Sequence, residues 1–247
     1  MNTSIRPVVS RTAVAVTVAA VLSLGSAAAA DEPQGWKGEG GLTLTADENN
    51  RVDAYLDRAR KAERTISVQV RTAAALAGGE LVAFDQRLKS PDSLKRKVAT
   101  ALVEESGRNV DTVLAGITDA VRYTLQWQDS TYTAGVVQAS HTLDGWGNDS
   151  TKWSNTWGRA KGYRALNTGW RAPRSGQLFE VQFHTPASKH AQEVTHRLYE
   201  EQRLPSTGAE RKQQLQREQD ALFAAVPVPS GAATLTAPGV RTLPAPA

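Results

Sequence analysis

The segment 178–185 constrains the fold of this chain more than any other part of the sequence. It reads Leu-Phe-Glu-Val-Gln-Phe-His-Thr, so Phe179, Val181 and Phe183 alternate with polar side chains. Strict alternation of this kind is typical of a β-strand with one apolar and one polar face. Pro186 follows directly, and because proline favours the first helical turn, it predicts a helix that runs to about Arg203.

Further helices and strands are predicted from the periodicity of apolar residues. Helical spacing predicts helices over 47–76, 91–105, 131–143 and 209–225. A run rich in β-forming residues predicts a strand in the later part of 113–127, and 162–170 is a candidate for another. Because helices and strands follow one another without regular alternation, we expect an α+β fold with a single mixed β-sheet flanked by helices.

The first thirty residues have the pattern of a secretory signal peptide, which we assign to 1–30. Arg6 and Arg11 supply positive charge, an uncharged apolar run follows, and alanines occupy 28–30. The apolar run is short for a membrane span, so we expect a secreted, extracellular protein with no membrane contact in its mature form. A retained N-terminal anchor is the alternative.

The rest of the chain divides into three parts by composition. We expect a flexible lead-in over 31–46, one globular domain over 47–226, and a disordered tail rich in proline and alanine over 227–247. The sequence has no cysteine, so core packing rather than disulfide bonds must hold the exported domain together.

The net charge gives no support to nucleic-acid binding. The whole chain has 29 lysines and arginines against 25 aspartates and glutamates. Removal of 1–30 takes away two arginines, so the mature net charge is about +2. Because that charge is small, we expect no nucleic-acid partner, and any attraction for phosphate must be local.

The stretch 87–97 concentrates positive charge at a predicted helix start. Ser90 and Pro91 are typical of an N-cap and a first helical turn. Arg87 and Lys89 then lie just before the helix, while Ser93 and Lys97 share one of its faces. The helix N-terminus and these side chains both favour negative charge, which indicates a polyphosphate site. The alternative is a solvated basic helix face.

Two carboxylates are candidates for metal binding or proton transfer. Glu180 and Gln182 share the polar face of the predicted strand, where a carboxylate could bind magnesium or accept a proton from a hydroxyl. The alternative is an amphipathic strand with its polar side in water. Asp119 precedes the other predicted strand and could be a second ligand, or it could be a turn or capping residue.

The tryptophans allow two interpretations. Trp146, Trp153 and Trp157 could line a sugar or base site by stacking, which would suit a carbohydrate-binding protein. The alternative, which we favour, is aromatic packing over a long loop.

Several short motifs follow one another in a characteristic order. They are Arg87, Lys89, Ser93 and Lys97 in Arg-x-Lys-x-x-x-Ser-x-x-x-Lys; Asp119 with Arg122; Arg159 four residues before Tyr163; Glu180, Gln182 and Thr185 in Glu-x-Gln-x-x-Thr; and His196 with Tyr199 in His-x-x-Tyr. In this order the chain resembles the synthetase domain of the RelA/SpoT family, the (p)ppGpp synthetases, over about 84–203. It is most similar to the secreted branch, the nucleotide 3′-pyrophosphokinases, so 47–226 is expected to be a synthetase domain.

The resemblance implies transfer of the β,γ-pyrophosphate of ATP to the 3′-hydroxyl of a purine nucleotide, with AMP as the second product. It implies that ATP, the donor, is bound by Arg87, Lys89, Ser93, Lys97 and Arg122, with both arginines on the adenine. It implies that magnesium, the cofactor, is held by Asp119 and Glu180, and that the catalytic residues are Glu180, Lys97 and Arg87. It implies that the acceptor is bound by Tyr163, Arg159, Lys161, Asn167, Gln182 and His196.

The sequence departs from the family pattern at two positions. The usual acidic residue lies five residues before the strand arginine, where this chain has Ile117, so Asp119 is expected to substitute for it. Asn167 stands where a histidine usually follows the tyrosine. We hypothesise that this change loosens acceptor choice, so that adenine as well as guanine nucleotides serve. The alternative function is a non-catalytic secreted module that binds nucleotides or nucleic acid.

Overall fold

The computed structural model describes residues 34–105, 107–204 and 206–239. The predicted signal peptide lies outside the described residues. Seven strands are described, namely β1 (Trp36–Lys37), β2 (Thr43–Leu44), β3 (Glu80–Val82), β4 (Arg122–Gln126), β5 (Asp149–Asn155), β6 (Leu166–Arg171) and β7 (Leu178–His184). Six α-helices are described, namely α1 (Ala46–Leu76), α2 (Pro91–Glu104), α3 (Val110–Ala115), α4 (Asp129–Gly145), α5 (Pro186–Arg203) and α6 (Ala209–Ala224).

The central sheet has five strands in the order β3-β4-β7-β6-β5. Strands β4 and β7 are parallel and the other neighbours are antiparallel, so the sheet is mixed. The predicted α+β fold, with a mixed sheet flanked by helices, is therefore confirmed. Helices α1, α2, α4, α5 and α6 correspond to the predicted helices, and β7 lies where the alternating segment predicts a strand.

One face of the sheet is apolar and is covered by α1 and α4. Tyr123, Val181 and Phe183 on this face are buried. Ser67 of α1 lies 2.9 Å from the hydroxyl oxygen of Tyr123, and Tyr132 of α4 donates to the carbonyl of Phe183 at 3.0 Å. The two helices thus bury the apolar side that the alternation of 178–185 predicts.

The opposite face carries a row of residues across four strands, and all but the β6 glycine are charged. The register aligns Arg122 of β4 with Glu180 of β7, Glu180 with Gly169 of β6, and Gly169 with Lys152 of β5. Residues at the same register point to the same side of a sheet. A carboxylate flanked by two cations is therefore placed on this face by strand pairing alone.

The regions predicted to be flexible are largely ordered in the described part of the chain. Over 34–46 the predicted lead-in contains the small β1–β2 ladder, and Leu44 is 3% exposed. The predicted disordered tail is wrong over 227–239, because Asn155 donates to the carbonyls of Ala232 at 2.8 Å and Leu235 at 3.2 Å. Ala232 is fully buried. Residues 240–247 lie outside the described part.

The tryptophans support the packing interpretation. Trp157 is buried and donates to the hydroxyl of Tyr132 at 2.7 Å. Trp153 packs against the core and donates to the carbonyl of Leu235 at 3.0 Å, while Trp146 is exposed. Trp153 and Trp157 are thus held in place by the fold and form no open stacking platform. None of the described helices combines the length and the apolar character that crossing a membrane requires.

Replacement of Asn155 by alanine should loosen the C-terminal segment 227–239. The side-chain donor to Ala232 and Leu235 is lost, and unmade buried hydrogen bonds cost about 1–3 kcal/mol each. We expect a lower melting temperature and faster proteolysis within 227–239. Asn50→Ala, at an exposed position of α1, is the control and should change neither. Equal proteolysis of wild type and Asn155→Ala would contradict this account of the segment.

Candidate active site

A β-bridge and a turn place one lysine beside an aspartate at the start of β4. Leu88 and Val121 form an antiparallel bridge. The amide of Lys89 donates to the carbonyl of Ala120 at 3.0 Å, which fixes Lys89 next to the turn that holds Asp119. Backbone pairing between distant segments, rather than the local sequence, creates this contact.

Helix α2 supplies a second lysine to the same aspartate. The hydroxyl of Ser90 accepts from the amide of Ser93 at 3.2 Å, and Pro91 lies in the first turn, so the predicted helix start is confirmed. Lys97 lies further along this helix, and its Nζ donates to Asp119 at 2.8 Å. The lysine-aspartate cluster, Lys89, Lys97 and Asp119, is thus assembled from three segments of chain.

Asp119 is held between the two lysines. Its carboxylate lies 3.0 Å from the Nζ of Lys89 and 2.8 Å from the Nζ of Lys97, and its side chain is 14% exposed. Burial alone would raise the pKa of this carboxyl, but the charges of both lysines outweigh burial and lower the pKa to about 2. Asp119 is therefore ionised at neutral pH, and a bound phosphate would compete with it for Lys89 and Lys97.

Glu180 is the second carboxylate of the site. It accepts a hydrogen bond from Gln182 at 2.5 Å and lies beside Arg122 across the parallel strand pair. Burial raises the pKa of Glu180; the hydrogen bond from Gln182 opposes this rise, and the negative charge of Asp119 adds to it. Asp119 and Glu180 therefore lie close enough to influence each other. A carboxylate with a raised pKa is also a better proton acceptor than a free one.

Asp119 and Glu180 are also the residues that could hold a metal ion. Within the described ranges, no group of three or more His, Cys, Asp or Glu could do so. Magnesium beside nucleotides is usually bound by one or two carboxylates, with water and phosphate oxygens at the other positions. Asp119 and Glu180 would be the carboxylates for magnesium that binds together with a polyphosphate, and in this structure each oxygen of Asp119 is paired with a lysine.

Lys189 is a part of the site that the sequence did not reveal. It lies in the first turn of α5, is 18% exposed, donates to Gln192 at 2.9 Å and lies 3.6 Å from Glu193. Burial lowers its pKa, the charge of Glu193 opposes this change, and the charge of Arg122 adds to it. Gln192 in turn donates to Gln182 at 3.4 Å, which connects Lys189 to the hydrogen-bond partner of Glu180. The sequence feature that could have indicated Lys189 is Pro186, because it fixes the start of α5 directly after the strand.

Tyr163 and its neighbours form a buried network next to Glu180. The hydroxyl of Tyr163 donates to Asn167 at 3.1 Å and lies 3.0 Å from Nε2 of His184, whose Nδ1 lies 2.8 Å from Ser188. Burial raises the pKa of Tyr163 and lowers the pKa of His184 to about 3, so both are neutral. Phe223 of α6 packs edge-on against the Tyr163 ring, with centroids 5.4 Å apart. Tyr163 and Asn167 are therefore in contact, but one side of the tyrosine is covered.

Arg87 lies apart from the lysine-aspartate cluster. Its Nε donates to Glu63 of α1 at 2.5 Å, and its guanidinium lies 4.1 Å from the centroid of the Phe84 ring. Glu63 belongs to the hydrogen-bond network of Tyr123, which points to the apolar side of the sheet. The side chain of Arg122 points to the polar side, while its amide donates to the carbonyl of Arg87 at 2.8 Å, so the two arginines are neighbours along the backbone. The assignment of Arg87 to the adenine stays a prediction.

The other predicted site residues are exposed and lie at the margins. Ser93 is one helical turn before Lys97 and accepts from the hydroxyl of Ser90 at 2.9 Å. Arg159 and Lys161 lie in the loop between β5 and β6, and His196 lies on α5. Their assignments to ATP or to the acceptor stay predictions.

The depressed pKa of Asp119 predicts an acid dependence of stability. Because the folded-state pKa of about 2 lies below the unfolded value, Asp119 stabilises the fold above about pH 4, and this contribution is lost as pH falls toward 2. Asp119→Asn should lower the free energy of unfolding by about 2 kcal/mol at pH 7, with a smaller difference from wild type at lower pH. Urea denaturation at several pH values measures this. The exposed ion-paired control, Asp111→Asn, should cost under about 1 kcal/mol; an equal loss in both variants would contradict the assignment.

Comparison with solved structures identifies proteins of similar fold. The protein smu.1046c from Streptococcus mutans UA159 matches with a TM-score of 0.50 and 15% identity, over 69% of this chain and 90% of that one. A GTP pyrophosphokinase family protein from Streptococcus pneumoniae matches with a TM-score of 0.49 and 18% identity, over 70% and 87%. Small alarmone synthetase 1 from Bacillus subtilis, bound to its product pppGpp, matches with a TM-score of 0.48 and 15% identity, over 71% and 92%.

The match to smu.1046c from Streptococcus mutans UA159 shows a shared fold. No protein-family model matches the sequence, and no curated protein matches it. Small alarmone synthetases and a GTP pyrophosphokinase family protein are nevertheless among the solved structures that the chain resembles. The α+β fold that the motif resemblance implies is confirmed by the match to smu.1046c.

Proposed function

We propose that this chain is an ATP:nucleotide 3′-pyrophosphotransferase. The observation that carries the proposal is the convergence of Lys89, Lys97, Asp119, Glu180 and Arg122 on one side of the sheet. Phosphoryl transfer needs cations that neutralise the phosphates and a group that accepts the hydroxyl proton. The site provides both, and the order of its motifs is that of pyrophosphokinases.

The donor side is built from the lysines and Arg122. Lys89 and Lys97 would bind the ATP phosphates, in competition with Asp119, and Ser93 lies one turn before Lys97 at the exposed helix start. Arg122 lies beside Glu180 and would contact the adenine or the phosphates. These cations favour the transition state because negative charge on the transferred group is spread over its oxygens there.

Glu180 is the proposed general base for the acceptor. The 3′-oxygen of the acceptor forms a bond to the β-phosphorus of ATP, and the bond between that phosphorus and the α,β-bridging oxygen breaks. AMP leaves, and the proton of the 3′-hydroxyl passes to the carboxylate of Glu180. The hydrogen bond from Gln182 orients this carboxylate. Tyr163 and Asn167 lie next to it and would contact the acceptor nucleotide, and Lys189 would add positive charge on that side.

Magnesium is the proposed cofactor. Asp119 and Glu180 would hold it, and when bound it would neutralise part of the charge on the β- and γ-phosphates. The lysines, Arg122 and Lys189 would position the phosphates around these carboxylates. The protein side chains would thus set the relative positions of the reacting groups.

Two substitutions separate chemistry from binding. Glu180→Gln should lower AMP formation from ATP and a purine nucleotide by about 10²–10⁴-fold, because the proton acceptor and one proposed magnesium ligand are lost while the lysines and Arg122 remain. Lys97→Met should lower kcat/KM by about 10-fold or more, because a charge-assisted contact to phosphate is lost. The measurement is chromatographic separation of AMP, ADP and the 3′-diphosphorylated product.

Lys95→Met is the matched control for Lys97→Met. Lys95 lies on the same helix, but its Nζ contacts Asp53 of α1 at 2.9 Å, so activity should stay within about twofold of wild type. ATP binding without AMP formation by the wild-type protein would favour the non-catalytic binding module. Formation of ADP and free phosphate would instead indicate an ATPase.

Asn167 is the proposed reason for broad acceptor choice. Its side-chain oxygen accepts a hydrogen bond from the hydroxyl of Tyr163 at 3.1 Å. Asn167 therefore orients the ring that is expected to contact the acceptor base. We expect AMP, ADP, ATP and GDP all to be pyrophosphorylated, with rates within about 100-fold of each other. Rates for the four acceptors measure this. Reaction of GDP alone would contradict the hypothesis.

We further propose that the protein is exported. The support is the charged start, apolar run and alanines of 1–30. N-terminal sequencing of protein recovered from the culture medium tests this, with Asp31 expected as the first residue.

A further inference from the structure

A second basic surface lies in a groove of about 520 Å³ between helix α1, the end of α3 and the connection from β6 to β7. The cations that line this anion groove are Arg58, Lys61, Arg171 and Arg174. In the described part of the chain, its lining includes no aspartate or glutamate. None of the residues assigned to pyrophosphate transfer lines it.

The cations of the anion groove are not neutralised within the protein. Over 34–105, 107–204 and 206–239, none of the four forms an ion pair with a carboxylate. Other arginines of α1 do so, since Arg51 pairs with Asp47 at 2.8 Å and Arg60 pairs with Asp57 at 2.9 Å. Because the mature chain is nearly neutral as a whole, this is a local concentration of positive charge.

The floor of the anion groove is fixed by hydrogen bonds. Gln177 is 8% exposed, and its side-chain amide donates to the hydroxyl of Tyr55 at 3.1 Å and to the carbonyl of Leu178 at 2.9 Å. Tyr55 in turn donates to the carbonyl of Ile117 at 2.9 Å. A preformed floor lowers the cost of ordering the site when a ligand binds.

We propose that the anion groove binds a chain of phosphate groups, carried by an inorganic oligophosphate or by a nucleoside polyphosphate. Arginine presents a planar fork of donors that matches phosphate oxygens; Arg171 ends β6, and Arg174 lies on the connection to β7. The volume is within the range of small-molecule sites, about 300–1,000 Å³, which favours a small ligand over a macromolecule. Binding needs no catalysis, so it does not depend on the proposed transfer reaction.

The test counts the equivalents of inorganic tripolyphosphate that the full protein binds, by calorimetry without magnesium. Arg171→Gln/Arg174→Gln should bind one equivalent fewer than wild type, or should bind it at least about 10-fold more weakly. The matched control, Lys37→Gln/Arg217→Gln, removes the same charge from exposed positions outside the groove. It should bind as wild type does. Because all four positions are exposed, thermal unfolding should show that both double variants are folded.

The second arm repeats the titration with ATP. Loss of one ATP equivalent in Arg171→Gln/Arg174→Gln assigns nucleoside polyphosphates to the groove, and loss of a tripolyphosphate equivalent alone assigns free oligophosphate. Unchanged stoichiometry and affinity in the groove variant would overturn the proposal, as would an equal loss in the control. Binding of an RNA oligonucleotide without binding of tripolyphosphate would also overturn it. Lys97→Met changes only the proposed pyrophosphate-transfer site. Its AMP formation therefore tests the proposed function independently of oligophosphate binding in the anion groove.

Discussion

The ion pairs that join Asp119 to Lys89 and Lys97 hold the site together. They connect the segment before α2, the helix itself and the turn before β4, and they do so where the aspartate is largely removed from water. A partly buried carboxylate that accepts from two ammonium groups costs little only while both partners are present. The same contacts that stabilise this corner of the fold therefore keep two cations beside a carboxylate. Phosphate oxygens could replace that carboxylate as the partner of the two lysines.

The sheet adds the second half of the site through strand pairing and the hydrogen bond from Gln182 to Glu180. Parallel pairing of β4 with β7 sets Arg122 beside Glu180, and the polar row continues to Lys152. Because the α1 and α4 side of the sheet is packed with apolar residues, the polar row has to lie on the other side. The amphipathic pattern of one strand thus decides both where the core forms and where chemistry is possible.

The sequence predicts the parts of the fold that depend on local pattern. The long helices and β7 are such parts, because their apolar periodicity is strong. Strand β5 is an edge strand that pairs only with β6, and its sequence is Asp-Ser-Thr-Lys-Trp-Ser-Asn. An edge strand needs no apolar alternation, so this sequence does not predict a strand. The C-terminal segment has the composition of a disordered tail, and its order depends on side-chain donors such as Asn155 and Trp153, which are distant in sequence.

The same division applies to the site. The spacing of Lys89 and Lys97 predicts a phosphate site, and both lysines do meet at Asp119. The salt bridge from Arg87 to Glu63 and the link from Lys189 through Gln192 to Gln182 depend on how helices pack, so no sequence motif predicts them.

The most direct measurement is the fate of ATP labelled with ³²P at the β-phosphorus, incubated with the protein, magnesium and an unlabelled purine nucleotide. Transfer of the β,γ-unit predicts that the label appears in the acceptor product while AMP stays unlabelled. Recovery of the label in ADP would contradict pyrophosphate transfer.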